Sequence, residues 1–346
     1  MMNNARRALL AAAFLLSAAT LHAQPQPMPE RFSFGMISHA GTAGEEQPLL
    51  RDALARTDAD NLAFVVVNGI KSAGEPCTDK LFQERLKLYE EAENGLVLSL
   101  AGSDWSDCHN ASGRPVAADR LRRARELFFT DDFSLGASKI PLVRQSTTPK
   151  FYTYVENTRW EFGDILFATL NLPANNNQYL AEAGRNGEFE DRLIANRDWL
   201  KRLFVIAGSR KFSALVIFSD GSLAPASAAD SATRSNRRDG FLEVRNRLMT
   251  LAAKYPGKVL LVQGAPAGNA RAAAQKTNAA DNARAASGTA IGTTIGTTIG
   301  TPSATITWQG NLGYLRAAPG VAKVVIDHAA PALITAVESA AGKPAR

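Results

Sequence analysis

The chain has 346 residues, is 45% hydrophobic and 21% charged, and carries a formal net charge of +6. That is room for one large domain or two modest ones, with the composition of a globular protein that buries a sizeable core. No Lys/Arg run is interleaved with aromatic residues, so nothing specific supports nucleic-acid binding.

Residues 1–23 carry the three parts of a secretory signal. Arg6 and Arg7 supply the charge, and Ala8 to Ala19 supply an apolar run shorter than the about 20 residues that a bilayer needs. Leu21-His22-Ala23 is the expected cleavage site, with Ser17-Ala18-Ala19 as a second choice; an uncleaved anchor is the competing reading. Loss of the two arginines leaves +4 (6 minus 2) and places the protein in the periplasm or outside the cell. No later stretch is apolar enough to span a membrane. In an exported chain the only cysteines, Cys77 and Cys108, read as a disulfide; two free or buried thiols are the alternative. They cannot build a structural zinc site by themselves.

Residues 24–346 read as a single domain. Arg31 to Ser38 alternates as a strand, and Glu45 to Asp58 carries Leu49, Leu50, Ala53 and Leu54 at helical spacing. Leu62 to Lys71 is an apolar, β-branched run that stops at Asn68-Gly69, which predicts a strand buried on both faces and then a tight turn. A helix is expected from Thr78, a plausible N-cap, to Glu93, a strand from Gly95 to Leu100, and a helix from Ala118 to Phe129. Four arginines on that last helix read as a solvated face. Tyr152 to Trp160 and Asp164 to Leu170 read as antiparallel strands. Then come a helix from Glu188 to Ala207, a strand from Ser213 to Phe218, a helix from Gly240 to Lys254 and a strand from Lys258 to Gln263. Strands alternating with helices predict a layered α/β fold. Gly264 to Ser303 is Ala-, Gly- and Thr-rich, with a four-residue repeat near its end, and reads as a flexible insertion. Order returns at Thr305 to Trp308 and in a strand from Val321 to His328.

Two segments are the most specific: Val67-Asn-Gly-Ile-Lys-Ser-Ala-Gly-Glu-Pro-Cys77 and Ser103-Asp-Trp-Ser-Asp-Cys-His109. Val155 to Trp160, Phe167 to Pro173 and Lys258 to Val262 support them. On these residues the chain, from about Phe32 to its C-terminus, resembles a bacterial exported calcineurin-like metallophosphoesterase. The resemblance implies a four-layer α-β-β-α sandwich with two metals at the carboxyl ends of the central strands. Two cations about 3.5–4 Å apart would activate a bridging water and neutralise phosphate charge, which takes several Asp and His ligands.

Each ligand position is changed. After the first strand the expected Asp is Ser38 or His39. After the second, Gly-Asp is replaced by Asn68-Gly69; after the third, the turn is Ala101-Gly102-Ser103-Asp104. After Val262 the expected histidines are replaced by Gln263-Gly264-Ala265-Pro266-Ala267. The whole chain has four histidines, His22, His39, His109 and His328, and only His39 and His109 fall near these strand ends. The expectation is therefore a pseudoenzyme or binding module without a cofactor, whose partner is a small anion or a protein. The competing reading is a residual or altered phosphoesterase holding one Mn, Fe or Zn ion on His39, Asp104 and His109. The positions left from the site are His39, Asn68, Gly69, Ser103, Asp104, His109 and Gln263.

Each has an ordinary reading as well. A lone His at a strand end is more often hydrogen-bonded structure, and an Asp in a turn is as readily a cap as a site acid. Asn68-Gly69 is a common turn pair, His109 reads as a loop residue, and Asn175 to Asn177 is plain loop chemistry. Ser103 has no His-Asp partners and no Gly-x-Ser-x-Gly elbow, and no Gly-rich phosphate loop is present.

Overall fold

Alternation along the strands decides which face each residue covers. In β1 (Arg31–Ser38), Phe34 and Met36 face one side and Ile37 the other. The same division holds in β2 (Val65–Asn68) and β3 (Leu96–Ser99), where Val66 and Val97 share the face of Phe34. The computed structural model describes residues 29–39, 41, 44–180, 186–225, 238–264, 305–317 and 319–338. The expected signal at 1–23 and, apart from Gly264, the expected insertion lie outside these residues.

The architecture is mixed α/β. A five-stranded sheet has the order β12-β11-β1-β2-β3, with β11 at Gly320–Asp327 and β12 at Ile334–Glu338. A seven-stranded sheet has the order β4-β5-β6-β7-β8-β10-β9. Its strands are β4 (Val143–Arg144), β5 (Thr158–Phe162), β6 (Ile165–Thr169), β7 (Ala214–Ser219), β8 (Lys258–Gln263), β9 (Ile306–Gln309) and β10 (Leu312–Arg316). β1-β2-β3 and β6-β7-β8-β10 are parallel runs, so their carboxyl ends line up within each sheet.

The sheets meet face to face over one core. Phe34, Phe64 and Val66 from the first pack with Trp160, Phe167, Val216, Phe218 and Leu260 from the second. The aromatic rings there are 4.8 Å apart for Phe64–Phe167 and 5.4 Å for Phe34–Phe167, edge to face, a geometry worth about 0.5–1.5 kcal/mol per pair beyond burial. Helices α1 (Glu46–Asp58), α2 (Asp79–Glu90) and α3 (Ala117–Phe128) cover the outer face of the first sheet through Leu54, Phe82, Leu121 and Phe128. Helices α4 (Gly187–Ser209) and α5 (Leu242–Ala252) cover the second through Trp199, Leu203 and Leu248.

Several elements differ from the sequence reading. Residues 152–157 are not strand. Arg144 donates to the carbonyls of Val155 and Asp131, and Gln145 N donates to Asn157 O, so side-chain and turn bonds take up the backbone groups that a ladder needs. β4, β10 and β12 carry no readable pattern: β4 has two residues, and β10 contains Gly313, where an added Cβ would meet the Trp308 ring at 2.8 Å. The four arginines of α3 are not all solvated. Arg120 and Arg123 clamp Asp79 at the start of α2, and Arg125 makes a two-pronged pair with buried Glu156. Thr78 caps α2, its Oγ1 accepting from Leu81 N at 3.3 Å.

Cys77 and Cys108 form a disulfide with Cα atoms 5.8 Å apart. It ties the loop after β2 to the loop after β3 across 31 residues of sequence. Closing a loop of that length removes chain entropy from the unfolded state worth about 3–4 kcal/mol. A Cys77→Ser, Cys108→Ser variant should lose stability of that order in urea unfolding, and denatured wild-type protein should titrate no free thiol. Free thiols in non-reduced material would contradict the bond.

Candidate functional site

The parallel register brings the polar strand ends level. Ser38 of β1 sits beside Asn68 of β2, and Asn68 beside Ser99 of β3. Counting in steps of two from Met36, Val66 and Val97 places all three on the inner face. Each is less than 5% exposed, and Ser38 Oγ, Asn68 Oδ1 and Ser99 Oγ have no hydrogen-bond partner. Buried polar atoms are normally paired, so three orphans in one row need a cause.

The turns beyond these strands are held by an internal carboxylate. Asp104, fully buried, accepts from Ile70 N at 2.8 Å, Lys71 N at 3.2 Å and Ala101 N at 2.8 Å. Burial pushes it up to about 6, against the pull of those N–H groups, His39 and Lys71. Gly69 has φ of +92°, and a Cβ there would meet Ala101 Cβ at 2.9 Å, so both the backbone conformation and the space call for glycine. The same point in space lies between Asp104 and the His39 ring. Ser103 is turned away, its hydroxyl donating to Lys71 O. The buried Lys71 Nζ donates to Ser72 O and Glu75 O, and burial lowers its pKa.

His39 is clamped at both nitrogens. Nδ1 lies 2.5 Å from Glu46 Oε1 and Nε2 lies 3.0 Å from Gly69 O. Both partners are acceptors, so both nitrogens carry hydrogen and the ring is an imidazolium with no lone pair for a metal. Burial opposes that charge, but the hydrogen bond and charge of Glu46 outweigh it and raise the pKa; burial likewise opposes Glu46, and His39 outweighs it there and lowers the carboxyl. His109 is exposed, with Nδ1 3.0 Å from its neighbour Asp107 O. Thus His39, Gly69 and Asp104 come together, while His109 lies on an exposed loop and Ser103 serves the turn. Gln263 is buried with Nε2 unpaired, but its place in β8 matches Val259 and Leu261 on the outer face.

Asp220, like Glu46, is a site residue that the sequence reading missed. It follows Phe218 by two and so turns inward from the end of β7. Its Oδ2 accepts from Gly102 N at 2.7 Å and Ala174 N at 2.8 Å, and Oδ1 lies 3.4 Å from Asn68 Nδ2, across the gap between the sheets. Burial raises its pKa. The available signal was the turn Ser219-Asp220-Gly221 closing an apolar strand. Asn175 belongs to the same rim, with Oδ1 accepting from Ser106 Oγ and Nδ2 donating to Asp107. Three consecutive residues, Asn176, Asn177 and Gln178, hold positive φ near 55°, and the buried Arg192 fixes them through the Asn177 carbonyl. Among the described residues no group of three or more His, Cys, Asp or Glu side chains is arranged to hold a metal ion.

The His39–Glu46 pair makes stability depend on pH. His39 is raised above its ordinary 6.5, so its contribution is complete below that value and is lost as pH rises through the folded value. Glu46 is lowered from 4.5, so its contribution is complete above that value and lost only in acid. The unfolding midpoint should therefore fall as the pH is raised above the ordinary histidine value of 6.5, and His39→Gln should flatten that fall. Equal slopes in the two proteins would show that His39 is not held as a cation.

No protein-family model matches this chain, and no curated protein matches it.

Proposed function

We propose that this chain is an exported binding protein on a metallophosphoesterase-type scaffold whose two-metal chemistry is gone. The layer order supports the scaffold: helices, sheet, sheet, helices, with the polar residues gathered at the carboxyl ends of parallel strands, where α/β folds place their ligands. The disulfide supports export, since such bonds persist in oxidising compartments. No described helix is long and apolar enough to cross a membrane.

One observation carries the loss of chemistry: the three inward-facing strand ends of the first sheet carry Ser38, Asn68 and Ser99, which are neutral. A two-metal hydrolase needs anionic or imidazole ligands there to gather two divalent cations and lower the pKa of a bound water. The candidates that the sequence offered, His39 and Asp104, are committed elsewhere. Both nitrogens of His39 and both oxygens of Asp104 are taken by protein partners. A one-metal site on His39, Asp104 and His109 would have to break those bonds and recruit an exposed loop residue.

Purified protein incubated with Mn²⁺, Zn²⁺ or Fe²⁺ should show no chelator-sensitive turnover of phosphomonoesters or phosphodiesters above background. Turnover that disappears on chelation and in a His39→Ala, Asp104→Ala double variant would overturn the proposal.

A further inference from the structure

Two β-branched apolar side chains stay exposed at one edge of the seven-stranded sheet. Val143 of β4 is 39% exposed and Val205 of α4 is 60% exposed. Both line a groove of about 400 Å³. The groove lies on the outer face of the sheet, since Val143 pairs with Arg159, and Arg159 with Ala168, which belongs to the core under α4. β4 is the edge strand and has two residues, and α4 leaves its outer face open. Trp199 and Ile206 add apolar surface from α4. The Trp199 indole nitrogen already donates to Thr169 O, so that side chain offers only carbon to the groove.

The walls are fastened to each other. Arg202 of α4 donates to Asp198 Oδ2 at 2.6 Å and, across to the turn after β4, to Thr148 Oγ1 at 2.7 Å. The opening is therefore preformed. Its charge is unbalanced. Glu161 takes both Arg159, at 3.2 Å, and Arg210. Two carboxylates, Asp198 and Glu161, thus stand against Arg159, Arg202, Arg210 and Lys201. Lys201 has no ion-pair or hydrogen-bond partner among the described residues. Small-molecule sites are concavities of about 300–1,000 Å³, mostly apolar with a few polar groups that fix orientation. This groove is at the small end of that range, which suits a single-chain ligand. A surplus of cations beside apolar surface asks for an anionic head on an apolar body, and a guanidinium fork matches a carboxylate.

We propose that this groove binds a small aliphatic carboxylate, with its chain against Val143, Trp199, Val205 and Ile206 and its head group beside Lys201 and Arg159. The site is separate from the strand-end residues, so the inference goes beyond the functional reading given for them.

The test is calorimetric titration of the full chain with octanoate at low salt, with acetate, octanol and octylammonium as comparisons. Octanoate should saturate at about one equivalent with a Kd of about 0.1–1 mM. Acetate lacks the apolar body and octylammonium carries the wrong charge, so each should bind at least roughly tenfold more weakly, and octanol several-fold more weakly. Val205→Asp changes an exposed position and so spares the fold; it should weaken octanoate roughly tenfold. Lys201→Glu should weaken it several-fold and reduce its dependence on salt. Val337→Asp, at a 44% exposed position on β12 of the other sheet, should leave the Kd unchanged. Absence of saturable octanoate binding would overturn the inference. Equal affinity for octanol would show an apolar patch without anion recognition, and equal binding by all three variants would place the octanoate elsewhere; either result would also overturn it. A concentration-dependent dimer that Val205→Asp abolishes would make a second copy the occupant and would overturn it too.

Discussion

The buried carboxylate of Asp104 is the constraint on which the strand-end region depends. Three backbone N–H groups, from two different turns, converge on its two oxygens. Each such bond to a charged acceptor contributes about 1.5–3 kcal/mol, and leaving a buried donor unmet costs a similar amount. By holding residues 70 and 71 against residue 101, Asp104 sets the position of Gly69, whose carbonyl then receives both His39 Nε2 and the Tyr89 hydroxyl at 3.0 Å. The disulfide repeats the same connection a few residues further out, with Cys108 Sγ packed 3.3 Å from Asp104 O. The turns are therefore rigid, and the row Ser38-Asn68-Ser99 beneath them is fixed in register.

Electrostatics at this end of the sandwich is mostly internal. Carboxylates that a ligand could have used are spent on the protein's own backbone or on His39. These donors and acceptors stabilise the strand-end turns themselves. Asp220 differs, because its partners among the described residues are neutral or negative and it joins the end of β7 to Asn68 of the first sheet.

Much of the layering was legible in the sequence, because strands buried on both faces and amphipathic helices carry strong patterns. β1 and β8 occupy the spans that their alternation and apolar runs predict, Arg31–Ser38 and Lys258–Gln263. The short strand β4 and the Gly-interrupted β10 were illegible, since tertiary pairing and not local pattern creates them. At the site, His39, Asn68, Gly69 and Asp104 were found from turn positions. Asp220 was not, because its partner Gly102 lies 118 residues away in sequence and its role exists only once the sheets pack. Glu46 was hidden for the same kind of reason: it reads as the first turn of a helix, and only the fold brings it under His39. The arginines of α3 misled because charge on a helix face looks alike whether it meets water or a buried Glu156.

The most direct measurement is the transition-metal content of protein purified without chelator and equilibrated with Mn²⁺, Fe²⁺ and Zn²⁺ in turn, then freed of unbound ion. Neutral strand ends and a doubly hydrogen-bonded His39 predict well under one equivalent of any of these metals per chain. About two equivalents per chain, the loading of a two-metal site, would contradict the account.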